Sequence, residues 1–136
     1  MTTSKQEKQS LVELANAARR HAYAPYSDYK VGAALKSTSG RVFTGVNVEN
    51  AAYPTSICAE RTAVFKAVSE GERTFEMIAV VTDNGGTPCG GCRQVLAEFG
   101  LDTLVVIADG TGKIVKETTV GGLLPDAFQP SHLGKA

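Results

Sequence analysis

The sequence predicts an α/β fold built on a mixed sheet of roughly five strands. Three observations carry this. The runs Met77–Val81 and Leu104–Ile107 are wholly apolar, as strands buried on both faces are. A helical stretch separates them, which makes a βαβ unit with parallel strands and a right-handed crossover. Upstream, Tyr29–Lys36 and Arg41–Glu49 alternate in polarity around Ser37-Thr38-Ser39-Gly40, the pattern of an antiparallel hairpin.

Taken in order, Lys5–Ala22 reads as a helix, because Leu11, Leu14, Ala15, Ala18 and Ala22 recur at spacings of three and four. Pro25 stops it within a turn, Tyr23–Asp28, that is either a packed connector or one wall of a pocket. In the first hairpin strand Tyr29, Val31, Ala33 and Leu35 share a face; in the second Val42, Thr44, Val46 and Val48 do. If the second strand persists to Glu49, Asn47 and Glu49 point the same way. Such a pair could clamp vicinal hydroxyls, or could be a solvated strand end. After a loop containing Pro54, a helix starts near Cys58, buries Ala63, Val64, Ala67 and Val68, and ends at Gly71. A glycine-containing loop, Thr82–Thr87, leads to a third helix with Val95, Leu96 and Phe99 inward. Asp109-Gly110 turns the chain into Lys113–Thr119, a weaker edge strand, and the tail carries an exposed Phe128.

The 136 residues suffice for one domain, 1–136, with a hydrophobic core. Fourteen basic residues balance fourteen acidic ones, with no basic run. That argues against a nucleic-acid partner, since phosphate binding needs clustered Lys and Arg. No apolar run is long enough to span a membrane, and the polar first ten residues hold no signal-peptide core. The expected compartment is the cytoplasm.

All three cysteines belong to a split motif, Cys58-Ala59-Glu60 and Pro88-Cys89-Gly90-Gly91-Cys92. An odd number of cysteines suits a reduced, metal-binding set better than disulfides. Three soft ligands and one unused acid read as a catalytic zinc centre with an open fourth position. A folding zinc would need a fourth ligand, and His21 and His132 lie near opposite ends of the chain. A Cys-X-X-Cys dithiol would explain Cys89 and Cys92 but leave Cys58 and Glu60 without a role. Mid-helix, residues 58 and 60 would point apart, so the motif requires a helix that starts at or just before Cys58. Three thiolates around Zn²⁺ carry net charge −1, and Arg61, three residues from Cys58, is positioned to offset it. Arg93 is either a second such donor or a surface residue.

With these residues go Pro25-Tyr26-Ser27, Val31–Leu35, Gly45–Ala51, Arg61–Ala63, Arg93-Gln94 and Leu123-Leu124-Pro125. From about Tyr23 to Leu133 the chain resembles the cytidine deaminase family of the short, homotetrameric, zinc-dependent type. The zinc, glutamate and Pro-Cys-x-x-Cys chemistry is that superfamily's general pattern, matched by this sequence rather than deduced from it. The resemblance implies a three-layer α-β-α sandwich and one zinc per chain, held by Cys58, Cys89 and Cys92. It implies that Glu60 shuttles protons and that Asn47 and Glu49 bind the ribose. Tyr29 would lie beside the nucleoside, where the family usually has Phe. Backbone groups of Ala59 and Thr87 would meet the pyrimidine edge, and Phe128 would stack on the base in a neighbouring subunit. Here Thr87 stands for a common Ser, and the Asp83–Thr87 loop is short and glycine-rich. The implied reaction is hydrolytic deamination of cytidine and 2′-deoxycytidine in pyrimidine salvage. Two other readings are a deaminase of another aminopyrimidine, free or in a polynucleotide, and a non-catalytic zinc-stabilised binding module. Glu60 distinguishes an enzyme from the latter, because a structural site has no use for it.

Overall fold

The computed structural model describes residues 4–135; Met1–Thr3 and Ala136 lie outside them. Ser4 opens helix α1 (Lys5–Arg19) with a reciprocal capping box to Glu7. The hairpin β1 (Gly32–Ser37) and β2 (Val42–Val46) follows, then a short 3-10 turn over Tyr53–Thr55. Next come α2 (Ala59–Ser69), β3 (Phe75–Val81), α3 (Gly90–Ala97), β4 (Leu104–Ala108) and β5 (Ile114–Thr119). A one-turn helix α4 (Val120–Leu123) and a 3-10 turn over Pro130–Leu133 complete the chain.

The sheet order is β2-β1-β3-β4-β5. Only β3 and β4 are parallel; the other neighbours are antiparallel. This is the expected mixed five-stranded sheet with β5 at an edge. Alternating residues of the central strands serve opposite faces. Met77, Ala79, Val81, Val106 and Ala108 pack against Leu11, Val12 and Ala15 of α1. Ile78, Val80, Val105 and Ile107 pack with Ala63, Val64, Ala67 and Leu96 on the other side. Helices therefore cover both faces, α1 on one and α2, α3 and α4 on the other.

Several expectations need correction. α1 ends at Arg19, not Ala22, because Tyr23 leaves the helix to bridge Val48: Tyr23 N donates to Asn47 O, and Glu49 N to Tyr23 O. Its buried arc is centred on Ala15, so Val12 is fully buried while Leu14 is 46% exposed; Leu14 lies about 100° round the axis from Ala15. β1 starts at Gly32 and is buried on both faces, leaving Tyr29 in the preceding coil. β2 ends at Val46 and turns Phe43 and Gly45 inward, whereas Val42, Thr44 and Val48 face outward. α2 packs closely on one face of this edge strand, whereas α1 reaches the other face less fully and leaves Val42 and Thr44 exposed. In α3 the fully buried positions are Cys92, Leu96 and Ala97, with Val95 and Phe99 only partly covered.

Gly45 lets β2 run against the first turns of α2. A Cβ there would lie 2.5 Å from Ala59 O and 2.6 Å from Ala63 N. Both are backbone atoms and cannot swing aside. Gly45→Ala should therefore cost about 1–3 kcal/mol or more through overpacking, read as a lower urea midpoint at unchanged slope. An unshifted midpoint would show that this approach is not a constraint.

Candidate metal centre and substrate cavity

Two helices begin at one place. Cys58 is the N-cap of α2 and Cys89 the N-cap of α3, both with extended backbone. The start required by Cys58 and Glu60 is thus present. Cys92 lies in the first turn of α3. The Sγ atoms of Cys58 and Cys89 are 3.9 Å apart and those of Cys89 and Cys92 3.5 Å apart; all three lie within 4.8 Å of one another. A tetrahedral ion with bonds of about 2.3 Å places its sulfurs about 3.8 Å apart, whereas a disulfide needs about 2.05 Å. The donor set fits zinc. The free N–H groups at the start of α2 favour thiolate at Cys58.

Beside the sulfurs is a cavity of about 550 Å³. Glu60, 4% exposed, forms part of its wall together with Ala59, Val80 and Thr82. Arg61 donates from Nη2 to Cys58 Sγ at 3.2 Å. Its Nε is buried and finds no acceptor among the described residues, and the guanidinium interacts with the sulfurs of both Cys58 and Cys92. Thr62 Oγ1 donates to Val46 O at 3.1 Å and tethers the first turn of α2 to the end of β2.

Asn47, Glu49, Tyr29 and Thr87 line the same cavity. Asn47 and Glu49 are already engaged by the fold. Asn47 Oδ1 accepts from Val31 N at 2.9 Å and its Nδ2 donates to Tyr29 O at 2.8 Å. The Glu49 carboxylate accepts from Tyr26 N at 3.0 Å, Ser27 N at 3.1 Å and the Ser27 hydroxyl. These bonds, the Ser27 hydroxyl's first, hold Glu49 below the usual carboxylate pKa. Three of its roughly four acceptor positions are used, leaving about one for a ligand hydroxyl. Phe128 is not brought to this cavity. It is 55% exposed and stacks on His132, with ring centroids 5.4 Å apart. A larger open hollow of about 730 Å³ lies beside α1, but its Arg19 and Asp83 are paired at 2.7 Å, and it gathers no cysteine.

A family model described as the cytidine and deoxycytidylate deaminase zinc-binding region matches residues 5–108, a span that includes all three cysteines. The chain belongs to this deaminase family. A cytidine deaminase of Sporosarcina psychrophila is 47% identical over 130 residues, covering 94% of this chain and 96% of that one. One of Halalkalibacterium halodurans is 50% identical over 125 residues, covering 90% and 94%. The crystal structure of cytidine deaminase from Burkholderia pseudomallei superposes with a TM-score of 0.84 at 49% identity, covering 93% and 100%.

Within this deaminase framework the titrations are strongly shifted. Cys58 is lowered to about 5, first by the hydrogen bond from Cys92 and then by Arg61. Cys92 is pushed up, because it keeps the proton that it donates to Cys58 and because it is buried. Burial, and then the Cys58 charge, push Glu60 up to about 7. Sequence reasoning passed over Asn84, the bond of Ser27 to Glu49 and the function of Arg93. Arg93 donates to Pro88 O at 2.8 Å, Leu123 O at 2.8 Å and Thr87 Oγ1 at 3.0 Å. It ties the loop before α3 to α4 and is neither a sulfur donor nor a free surface arginine. Its adjacency to Cys92 was the available signal, but the contact with Leu123, thirty residues away, could not be inferred from it.

An acid whose pKa is raised on folding binds more protons folded than unfolded between the two values, so stability falls as pH rises through that window. For Glu60 the window runs from about 4.5, its unfolded value, to about 7. Metal-free Glu60→Gln should therefore exceed metal-free wild type by about 3 kcal/mol at pH 8, at 1.36 kcal/mol per pKa unit. Near pH 4 the two should converge. Urea unfolding of chelator-treated protein checks this, and an equal difference at both pH values would contradict it.

Proposed function

We propose that the protein catalyses hydrolytic deamination of cytidine and 2′-deoxycytidine to uridine and 2′-deoxyuridine with release of ammonia. The observation that carries this is the buried Glu60 beside a three-sulfur set, facing a cavity with Asn47 and Glu49 in its wall. The names and near-complete overlap of the relatives support it. One zinc per chain, held by Cys58, Cys89 and Cys92, would supply a Lewis acid that acidifies a water at its open position.

Glu60 takes one proton at its carboxylate from the attacking water and gives it to ring N3. It then takes the proton of the hydroxyl newly added at C4 and gives it to the departing amino group, so that the C4 carbonyl forms as ammonia leaves. A carboxylate near neutrality can do both, since its two protonation states differ little in free energy there. Burial keeps bulk water from exchanging that proton. Arg61 offsets the charge of the thiolates. Backbone groups of Ala59 and Thr87 meet the pyrimidine edge, Asn47 and Glu49 hold the ribose, and the Tyr29 ring lies beside the nucleoside. Phe128, remote from its own cavity, stacks on the base in a neighbouring subunit of a homotetramer with shared sites. The enzyme works in the cytoplasm, in pyrimidine salvage; among the described residues no helix is long and apolar enough to cross a membrane. The balanced charge favours a free nucleoside over a polynucleotide.

Loss of the cytosine absorbance band measures the reaction. Wild type should turn over cytidine, contain one zinc per chain and lose activity to a chelator. Glu60→Gln should keep its zinc and fold while losing at least the roughly 10²–10⁴-fold that general acid–base catalysis supplies. Near-normal turnover by that variant would refute the proton shuttle, and full activity in metal-free protein would refute the metal site. Phe128→Ala should raise KM for cytidine in protein that light scattering shows to be a tetramer; an unchanged KM removes that ring from the site.

A further inference from the structure

The loop between β3 and α3 forms one wall of the cavity, yet it is short and contains Gly85 and Gly86. Such a segment has high conformational entropy and would not hold a wall in place by itself. It is tied down at every step. Asp83 pairs with Arg19 at 2.7 Å. Asn84 Oδ1 accepts the Tyr29 hydroxyl at 2.7 Å and lies 3.4 Å from Thr82 Oγ1. Gly86 N donates to Thr82 Oγ1 at 2.8 Å, and Thr82 is buried. Arg93 holds the Thr87 hydroxyl at 3.0 Å.

Of these ties, one comes from a side chain outside the loop that itself lines the cavity. Tyr29 comes from the coil before β1, and its hydroxyl passes directly beside Gly86. A Cβ on Gly86 would lie 2.5 Å from that oxygen and 3.6 Å from Asn84 Oδ1. Gly86 is not among the glycines with positive φ, so its backbone does not require glycine. What requires it is the space taken by the Tyr29 hydroxyl. Gly85, by contrast, has a φ of +74° and is needed for its conformation.

We propose that the Tyr29 hydroxyl and Asn84 form a latch that sets the position of the Gly86–Thr87 wall, making both residues positioning groups for nucleoside binding. This rests on the deaminase reading given above. Residues 29, 84 and 86 form one spatial unit: a hydroxyl, its acceptor and the vacancy of a side chain that lets them meet. Removing either bonding partner frees the wall. Adding a methyl at Gly86 forces it off the latch, and removing the hydroxyl makes room for that methyl.

The experiment measures cytidine KM and kcat, and amide hydrogen exchange over residues 82–88, for wild type and variants. Tyr29→Phe and Asn84→Ala should each raise KM by about 2–10-fold, the range for one net hydrogen bond, with kcat little changed. Both should speed exchange at Gly86. The double variant should be no worse than the poorer single one, because both remove the same bond. Gly86→Ala should raise KM further, and Tyr29→Phe should restore much of that loss. Rescue is the readout a merely structural role would not move. An unaffected Asn84→Ala alongside an impaired Tyr29→Phe would mean direct contact by the hydroxyl with substrate and would overturn the latch. Multiplicative effects in the double variant, or no rescue of Gly86→Ala, would do the same. Should wild type not turn over cytidine, the deaminase reading falls and the latch is decided by exchange alone: equal acceleration in both single variants supports it, and none overturns it.

Discussion

Three sulfur atoms must come within a few ångströms of one another, and two helix N-termini must therefore start at the same point. The sheet topology makes this possible. Because β3 and β4 are parallel, α3 has to begin near the carboxyl end of β3, where the crossover leaves the sheet. That fixes Cys89 and Cys92. Cys58 arrives from the other side because β1 pairs with β3 and β2 with β1, so the chain leaving β2 is already at that end. Val48 then bridges Ile57, which delivers Cys58 and the start of α2. Gly45 allows α2 to lie close enough to β2 for this path to close.

The same convergence creates an electrostatic conflict. Thiolates and a carboxylate are packed together in a partly dry site, and like charges there raise one another's pKa. The arrangement divides the groups by environment. Cys58 receives Arg61 and ionises easily; Glu60 is buried beside it and is raised toward neutrality by that burial and by the Cys58 charge. The helix starts add partial positive charge on the sulfur side. A carboxyl that favours its protonated form is thereby set beside a thiol that ionises easily, although the two are only two residues apart in sequence.

Much of this was legible in the sequence because it rests on local rules. The apolar runs, the hairpin turn, Gly71 as a helix stop, and the spacing of Cys58, Glu60, Cys89 and Cys92 are all short-range patterns. What was misread depends on partners distant in sequence. The end of α1 is decided by Tyr23 pairing with Val48, some twenty-five residues away. The inward face of β2 is decided by α2, which covers Phe43 and leaves the more uniform stripe of Val42, Thr44 and Val46 to the outside. Leu14 fits an apolar stripe as well as Val12 does, and only the packing on Ala34 and Met77 separates them. Arg93 next to a cysteine of the three-sulfur cluster suggests a sulfur donor, but its guanidinium reaches two carbonyls and a hydroxyl instead.

The residues proposed to hold the nucleoside also hold the fold. Asn47 joins the coil at Tyr29 to the backbone at Val31, and Glu49 fastens the Tyr26-Ser27 turn. A polar group with several bonding positions can spend some on structure and leave one or two oriented toward the cavity. Its rotamer is then locked before a ligand arrives, so less side-chain entropy is lost on binding. This accounts for an amide and a carboxylate with structural bonds in the wall of the proposed substrate cavity. It also means that removing either side chain disturbs a wall as well as a contact. The hydrogen bonds that hold the proposed nucleoside contacts are thus also bonds of the fold, and the Tyr29 hydroxyl, bonded to Asn84, ties the glycine loop to the coil before β1 in the same way.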